Sequence, residues 1–162
     1  MMSGGIPGAR WVPPEQFHIT LRFIGEVHPR VAEDVASALS SIDARRFDVA
    51  VTGCGQFGGD TPRALWAGVE ANPALDTLHN KIDRACQVIG LKADKHKFLP
   101  HVTLARLRNA SPVKVQQFIE RHSLMRAPAF TAESFGLYSS ALGHDGPHYH
   151  LEARYALKPM AA

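Results

Sequence analysis

The sequence predicts an α+β fold of two pseudo-symmetric lobes, with antiparallel sheets flanked by helices around a central cleft. Two observations support this fold class. A strand, a helix, two strands and a further helix follow one another in the first half of the chain, and the same order returns in the second half. Strand segments alternate apolar and polar residues, whereas helical segments carry one apolar stripe. Because 162 residues suit one compact domain, we expect a single two-lobed domain over residues 1–162.

In the first half, a short strand precedes this repeated order, so two strands come before the first helix and two come after it. The first helix has apolar residues at helical spacing, and the second begins at a cap residue, Asn72, followed by proline. A turn-rich stretch joins the two later strands. The predicted elements are strands at Gly8–Val12 and Phe17–Gly25, a helix at Pro29–Ile42, a strand around Phe47–Val51, the connection Gly53–Pro62, a strand at Arg63–Glu70 and a helix from Pro73 to about Ile89.

The second half repeats this order without a linker long enough to separate independent domains. A strand is predicted at Pro100–Leu107, and a helix begins at Ser111-Pro112. Two strands follow, around Phe130–Leu142 and His148–Leu157, and a glycine-rich turn joins them.

Composition places the chain among globular proteins and excludes several classes. The hydrophobic fraction is 45% and the net charge is only +3, although the pI near 9.1 favours anionic partners. The two cysteines, Cys54 and Cys86, have no metal-like spacing and are typical of buried thiols in a reducing compartment. The sequence shows no apolar run that could span a membrane and no signal-peptide pattern, so we expect a cytoplasmic protein.

Two short motifs carry the chemistry. "HITL" begins at His18 and "HVTL" begins at His101, at equivalent places in the repeated order. Since residues i and i+2 of a strand share a face, His18 lies beside Thr20 and His101 beside Thr103. A single such motif usually means an ordinary strand, but the repetition indicates a site. The opposite faces carry the predicted core side chains Ile19, Leu21, Phe23, Val102 and Leu104.

Two imidazoles suit a displacement at phosphorus. If the lobes pack about a pseudo-twofold axis, the two histidines face each other across the cleft. One would take a proton from the attacking oxygen while the other gives a proton to the leaving oxygen, and each transfer is worth ~10²–10⁴ in rate. The ordinary histidine pKa of ~6.5 allows opposite protonation states near neutral pH. The threonine hydroxyls can donate to phosphoryl oxygens as negative charge builds up.

With these motifs, the sequence resembles the 2H phosphoesterase superfamily, and within it the RNA 2′,3′-cyclic phosphodiesterases, also called 2′-5′ RNA ligases or LigT-like proteins. The segments that carry the resemblance are "GARWVPPEQFHITLRFIGEV" (Gly8–Val27), "PRALWAGV" (Pro62–Val69), "FLPHVTLARL" (Phe98–Leu107) and "LYSSALGHDGPHYHLEARYAL" (Leu137–Leu157).

The resemblance implies a metal-independent and cofactor-free hydrolysis of RNA 2′,3′-cyclic phosphate ends to 2′-phosphomonoesters. It implies that His18 is the proton donor and His101 the proton acceptor, a choice that spacing alone leaves open. It also implies a reverse ligation, in which the 5′-hydroxyl of a second RNA replaces water.

The sequence departs from the family in two places. Family members usually have a further strand and helix before the first motif, whereas only 17 residues precede His18 here. We therefore expect the first lobe to lack these two elements. The family implies a monomer, but an exposed strand edge would favour a dimer. An arginine common in the family two residues before the second histidine is Leu99 here, with Lys95 and Lys97 as potential substitutes.

Two arginines are candidate substrate-binding residues. Arg22 continues the face of His18 and Thr20, so it can meet RNA phosphate at the cleft rim, or it can be a solvated strand-end charge. Arg106 alternates away from His101, which makes it the weaker candidate. Phe57, near the glycine-rich connection, could stack on a base, but membership of the core is favoured. His28, His79, His96 and His122 are predicted to be surface or helix residues.

Three alternative functions remain at this point. The cleft could bind RNA without turnover, or a related phosphodiesterase could act on a small cyclic nucleotide. His144, His148 and His150 suggest a metal hydrolase, but no matching carboxylate or cysteine set accompanies them. No metal and no membrane partner are therefore predicted.

Overall fold

The computed structural model describes residues 5–161. The first four residues, where the sequence shows no signal-peptide pattern, lie outside this range. The chain forms two compact units. Unit 1 comprises Met1–Thr20, Val49–Ala71 and Leu99–Ala129, and unit 2 comprises Leu21–Asp48, Asn72–Phe98 and Phe130–Ala162.

Unit 1 is built on one four-stranded antiparallel sheet, ordered β1-β5-β4-β3. Strand β5 is central, with β4 along one edge and β1 along the other. The helix α3 follows β5, with Ser111 as its N-cap and proline as its first residue. The elements are β1 (Ala9–Trp11), β3 (Val51–Phe57), β4 (Ala64–Val69), β5 (His101–Leu107) and α3 (Pro112–Arg121).

The core of unit 1 lies on one face of this sheet, under α3. Leu65 and Ala105 are fully buried at the centre of the sheet, and Val115 and Phe118 of the helix pack against them. Trp11 extends the core and lies 5.6 Å from Phe118, measured between ring centroids. This arrangement leaves the other face of the sheet uncovered by α3, and the motif residues lie there.

Unit 2 holds two helices and two strand pairs. Asn72 caps α2 by accepting a hydrogen bond from the backbone N–H of Leu75 at 3.1 Å, as the sequence predicts. The Tyr155 hydroxyl donates to the Ala36 carbonyl at 2.8 Å and so joins β8 to α1. The elements are α1 (Pro29–Ser40), β2 (Phe47–Val49, whose last residue belongs to unit 1), α2 (Pro73–Val88), β6 (Phe130–Ala132), β7 (Ser134–Gly143) and β8 (Gly146–Ala156), with β2 paired to β6 and β7 to β8.

The α+β class with antiparallel sheets is confirmed, but two local predictions are wrong. Phe17–Gly25 is not a continuous strand, because only Ile19 forms a β-bridge there, opposite Val102. The connection predicted at Gly53–Pro62 begins only after Phe57, because β3 continues through Gly53 and Gly55. Gly55 lies within this strand, and only glycine fits there because the ring of Trp66 occupies the space where a Cβ would lie.

The apolar faces of the motifs are buried unequally. Leu104 is buried as predicted, and Ile19, Leu21 and Val102 are half-buried. Phe23 is 78% exposed, so its assignment to the core is wrong. Among the described residues, no helix is both long and apolar enough to cross a membrane.

Candidate active site

Residues 18–20 of the first motif and the whole second motif lie in unit 1, as neighbours along one edge of β5, and not one motif in each lobe as the repeated order suggests. Ile19 pairs with Val102 in an antiparallel bridge. Extending that register by one residue each way places His18 opposite Thr103 and Thr20 opposite His101. Because neighbouring residues of a strand alternate in direction, the two histidines and the two threonines share the face opposite to Ile19 and Val102.

The two imidazoles are held in the same way. His18 Nδ1 lies 2.8 Å from the Gln16 carbonyl oxygen, and His101 Nδ1 lies 2.6 Å from the Leu99 carbonyl oxygen. A carbonyl can only accept, so each Nδ1 carries a proton and donates it. In the neutral ring, Nε2 then bears the lone pair. Each histidine is therefore oriented by the carbonyl of the residue two positions before it.

An aromatic pair surrounds the second histidine. The ring of Phe57 meets that of His101 edge-on, with centroids 4.9 Å apart, and the ring of Trp66 lies 6.1 Å away. Phe57 and Trp66 lie 5.5 Å from each other. Among the described residues, the buried Nε1 of Trp66 has no hydrogen-bond partner, so packing alone holds this ring. Phe57, predicted to be in the core, is instead half-buried beside the candidate site.

A β-bulge changes the direction of Arg106. Thr103 pairs with Trp66, but the register shifts before Ala105 pairs with Leu65 and Arg106 with Ala64. Since Ala64 and Trp66 lie on the same face of β4, Arg106 shares the face of Thr103. Simple alternation predicts the opposite face, and the extra residue at the bulge is the physical reason for the difference.

The side chain of Arg22 forms an ion pair and hydrogen bonds inside unit 2. Its Nε donates to Asp83 Oδ1 at 2.8 Å, and its other nitrogens donate to the carbonyls of Phe23 and Lys92. The two charged side chains are only 6% and 16% exposed. Partial burial works against ionisation of Asp83, but hydrogen bonds from Arg22 and from the Asp94 backbone outweigh it and lower the pKa of Asp83. This corrects the placement of Arg22 at the rim of a phosphate site.

The C-terminal histidines and the cysteines have surroundings of their own. No group of three or more His, Cys, Asp or Glu residues within 5–161 could hold a metal ion. His148 of the C-terminal histidines instead pairs with Asp145 at 2.7 Å. Burial raises the pKa of the Cys54 thiol, which disfavours the reactive thiolate.

His79 is a buried histidine that the sequence analysis did not single out. It lies in α2, in agreement with its prediction as a surface or helix residue, but it is only 8% exposed. Its Nδ1 lies 2.7 Å from the Leu21 carbonyl oxygen, and its ring stacks on Phe98 at 4.1 Å. The signal that could have found it is its place in the apolar stripe of α2, one position after Leu78. His79 therefore holds the backbone of Leu21, the last residue of the HITL motif, inside unit 2.

Sequence comparisons match most of the chain to one family. The model of the 2′-5′ RNA ligase superfamily matches residues 7–143. The chain is 36% identical over 149 residues to an RNA 2′,3′-cyclic phosphodiesterase of Aeropyrum pernix, covering 90% of this chain and 84% of that protein. It is 30% identical over 146 residues to one of Archaeoglobus fulgidus, covering 90% and 82%.

Solved structures show the same fold. Escherichia coli LigT complexed with 3′-AMP is 25% identical and superposes with a TM-score of 0.74, covering 93% of this chain and 82% of LigT. TT0787 of Thermus thermophilus is 26% identical with a TM-score of 0.75, covering 96% and 85%. From the motif pair, the fold and these matches, the chain belongs to the 2′-5′ RNA ligase superfamily.

Proposed function

We propose that this protein hydrolyses RNA ends that carry a 2′,3′-cyclic phosphate and leaves a 2′-phosphomonoester. The observation that carries the proposal is the antiparallel bridge between Ile19 and Val102, because extending its register by one residue each way would put two imidazoles and two hydroxyls on one sheet face. The relatives from Aeropyrum pernix and Archaeoglobus fulgidus are named for this activity.

In the proposed reaction, water attacks phosphorus from the side opposite to the 3′ oxygen. His101 Nε2 removes a proton from the water as the new P–O bond forms. His18, protonated on both ring nitrogens, gives the Nε2 proton to the 3′ oxygen as the P–O3′ bond breaks. The 2′ oxygen keeps its phosphate. The two histidines end with exchanged protonation states, and solvent restores them.

Thr20 and Thr103 are proposed as donors to the phosphoryl oxygens. Their hydroxyls lie next to the imidazoles on the same face, so they can follow the oxygens that gain charge in the transition state. Leu99 provides its carbonyl to orient His101, a backbone contact that does not depend on the side chain at that position.

The same geometry supports ligation, in which the 5′-hydroxyl of a second RNA replaces water as the nucleophile. His101 would deprotonate this hydroxyl as its oxygen bonds to phosphorus, and His18 would protonate the 3′ oxygen as the P–O3′ bond breaks, which leaves a 2′-5′ linkage. For the compartment we propose the cytoplasm, where Cys54 and Cys86 would remain the free thiols that they are in the structure.

The test is incubation of a short RNA 2′,3′-cyclic phosphate with the protein, with and without EDTA, followed by identification of the product. We expect a 2′-phosphate and no effect of the chelator, since both proton transfers come from imidazoles. A 3′-phosphate product, or loss of turnover with EDTA, would contradict the mechanism. Tight RNA binding without turnover would favour a noncatalytic binding module.

A further inference from the structure

We propose that three arginines on the open face of the unit 1 sheet form a binding strip for the RNA strand that precedes the cyclic phosphate. The strip consists of Arg10, Arg106 and Arg108. This inference rests on the proposed function and deepens it, because it names the residues that would bind the RNA strand and thereby favour an oligonucleotide end over a cyclic mononucleotide.

The three arginines share one face by register. Arg10 of β1 is directly opposite Arg106 of β5. The Arg108 N–H donates to the Gly8 carbonyl at 3.0 Å and extends the β1–β5 pairing by one residue, so Arg108 alternates to the side of Arg106. Because of the bulge before Ala105, this face of the sheet is also the face that carries His101 and Thr103.

Burial agrees with this assignment. Arg10, Arg106 and Arg108 are exposed, whereas Ala105 and Leu107 on the alternate positions of β5 belong to the core. The strip therefore begins beside the motif threonine of β5 and continues along the same strand on the same open face.

The charges of the strip are not neutralised. Within residues 5–161, no ion pair and no side-chain hydrogen bond involves any of the three guanidinium groups, whereas Arg126 of the same unit pairs with Glu70. Like charges directly opposite each other in a sheet are destabilising. A pair such as Arg10 and Arg106 is therefore costly in the absence of an anion.

Unit 1 also carries the whole net charge of the chain. It contains seven lysines and arginines against four aspartates and glutamates, whereas unit 2 contains eleven of each, and the chain total is +3. The anionic partner indicated by the pI is thus expected at unit 1, which also holds both motifs.

The spacing fits a single strand of RNA. Arg106 and Arg108 lie three and five residues beyond Thr103, about 10 and 16 Å at the rise of a β-strand. A cyclic phosphate occupies the 3′ end, so every other phosphate of the substrate lies on its 5′ side. The last few phosphates before the reacting end are within reach of the strip, and guanidinium groups bind phosphate through two parallel hydrogen bonds.

The experiment compares a cyclic mononucleotide with a tetranucleotide that ends in the same 2′,3′-cyclic nucleotide. Wild-type protein should show a lower KM for the tetranucleotide with a similar kcat. Arg10→Gln and Arg108→Gln should each raise that KM about threefold to tenfold and reduce the salt dependence of kcat/KM by roughly one counterion. Neither substitution should change the kinetics of the mononucleotide.

The control is Arg121→Gln, which removes the same charge from α3 on the covered side of the sheet and should leave both substrates unchanged. Equal KM values for the two substrates, or equal effects of Arg10→Gln and Arg121→Gln, would overturn the strip. Fluorescence anisotropy of a labelled tetranucleotide gives a readout that needs no turnover. Arginine-dependent binding without hydrolysis would overturn the proposed function alone, whereas hydrolysis without arginine dependence would overturn the strip alone.

Discussion

The two motifs contain the same residues in the same order, but the fold holds them differently. The second motif is the first half of β5, in register with β4, and its His101 and Thr103 are half-buried. The first motif touches the sheet through one bridge at Ile19, and its His18 and Thr20 are exposed. The same pair of histidine and threonine side chains is therefore held by a fully paired strand in one motif and by a single bridge in the other.

What the two motifs share is local. Each histidine donates from Nδ1 to the carbonyl two residues earlier, a contact within the chain segment itself. This contact fixes the ring tautomer whether or not the segment belongs to a regular strand. The difference between the motifs thus concerns how firmly Nε2 is placed, and the following predictions address it.

The largest effect is expected from the histidines. His18→Ala and His101→Ala should each lower kcat about 10²–10⁴-fold, because each removes one proton transfer. Circular dichroism should show unchanged folding, since neither side chain is in the core.

A nitrophenyl phosphodiester separates the two roles, because its leaving group departs without a proton. This substrate should restore much of the activity of His18→Ala and little of that of His101→Ala. The reverse pattern would exchange the roles of donor and acceptor.

The threonines should have the next largest effect. Thr103→Val keeps the shape and strand preference of the side chain and removes the hydroxyl, and we expect about a 10²-fold lower kcat with little change in KM. Thr20→Val should cost less if the more loosely held first motif places its hydroxyl less firmly. Steady-state kinetics of both variants on one RNA substrate measure the difference, and equal losses would remove this distinction.

A substitution under Trp66 should disturb the second motif alone. A Cβ at Gly55 would lie 2.3 Å from Cη2 of Trp66, so Gly55→Ala must displace a ring that packs near His101. We expect a loss of about 1–3 kcal/mol in the free energy of unfolding and a reduced kcat. Gly59→Ala is a poorer fit for the backbone but meets no neighbouring atom, so it should spare kcat. Unchanged kcat in Gly55→Ala would show that the aromatic pair does not position His101.

Arg22 should affect stability and leave turnover the same. Arg22→Ala leaves the partly buried carboxylate of Asp83 without its cationic partner and should lower the free energy of unfolding by about 3 kcal/mol, as urea titration would measure. KM for RNA should not change. An increased KM at unchanged stability would restore Arg22 to the phosphate site.

The same ion pair predicts a dependence of stability on pH. The folded-state pKa of Asp83 lies below its ordinary value, so the stability that its ionised form contributes is fully present above the ordinary value and is lost as the pH falls through the lowered one. Asp83→Asn should therefore be less stable than wild type at neutral pH, with the gap narrowing in acid.

The sequence predicted the helices and the chemical identity of the site well, because both depend on local patterns. The cap at Asn72, the stripes of α1 and α2 and the paired H-x-T motifs can be read from neighbouring residues. The bulge beside Leu104 could not be read, since it depends on how β5 pairs with β4. Consequently the face of Arg106 was predicted incorrectly.

Long-range contacts also explain the other differences. Gly55 looks like a turn residue until the ring of Trp66 is placed over it. Phe23 has the apolar character of a core residue, yet it is exposed. Arg22 beside it is nearly buried because its side chain pairs with Asp83, a residue 61 positions away in the sequence. Only the folded chain brings such partners together.

The most direct test of the central claim is the hydrolysis rate of an RNA 2′,3′-cyclic phosphate in wild type, both single histidine variants and the double variant His18→Ala/His101→Ala. If the two motifs form one site, the double variant should lose about as much activity as the worse single variant, because the residues act as a unit. Phosphorus NMR of the product follows the reaction in all four proteins. Hydrolysis that persists in the double variant at the wild-type rate would contradict the account.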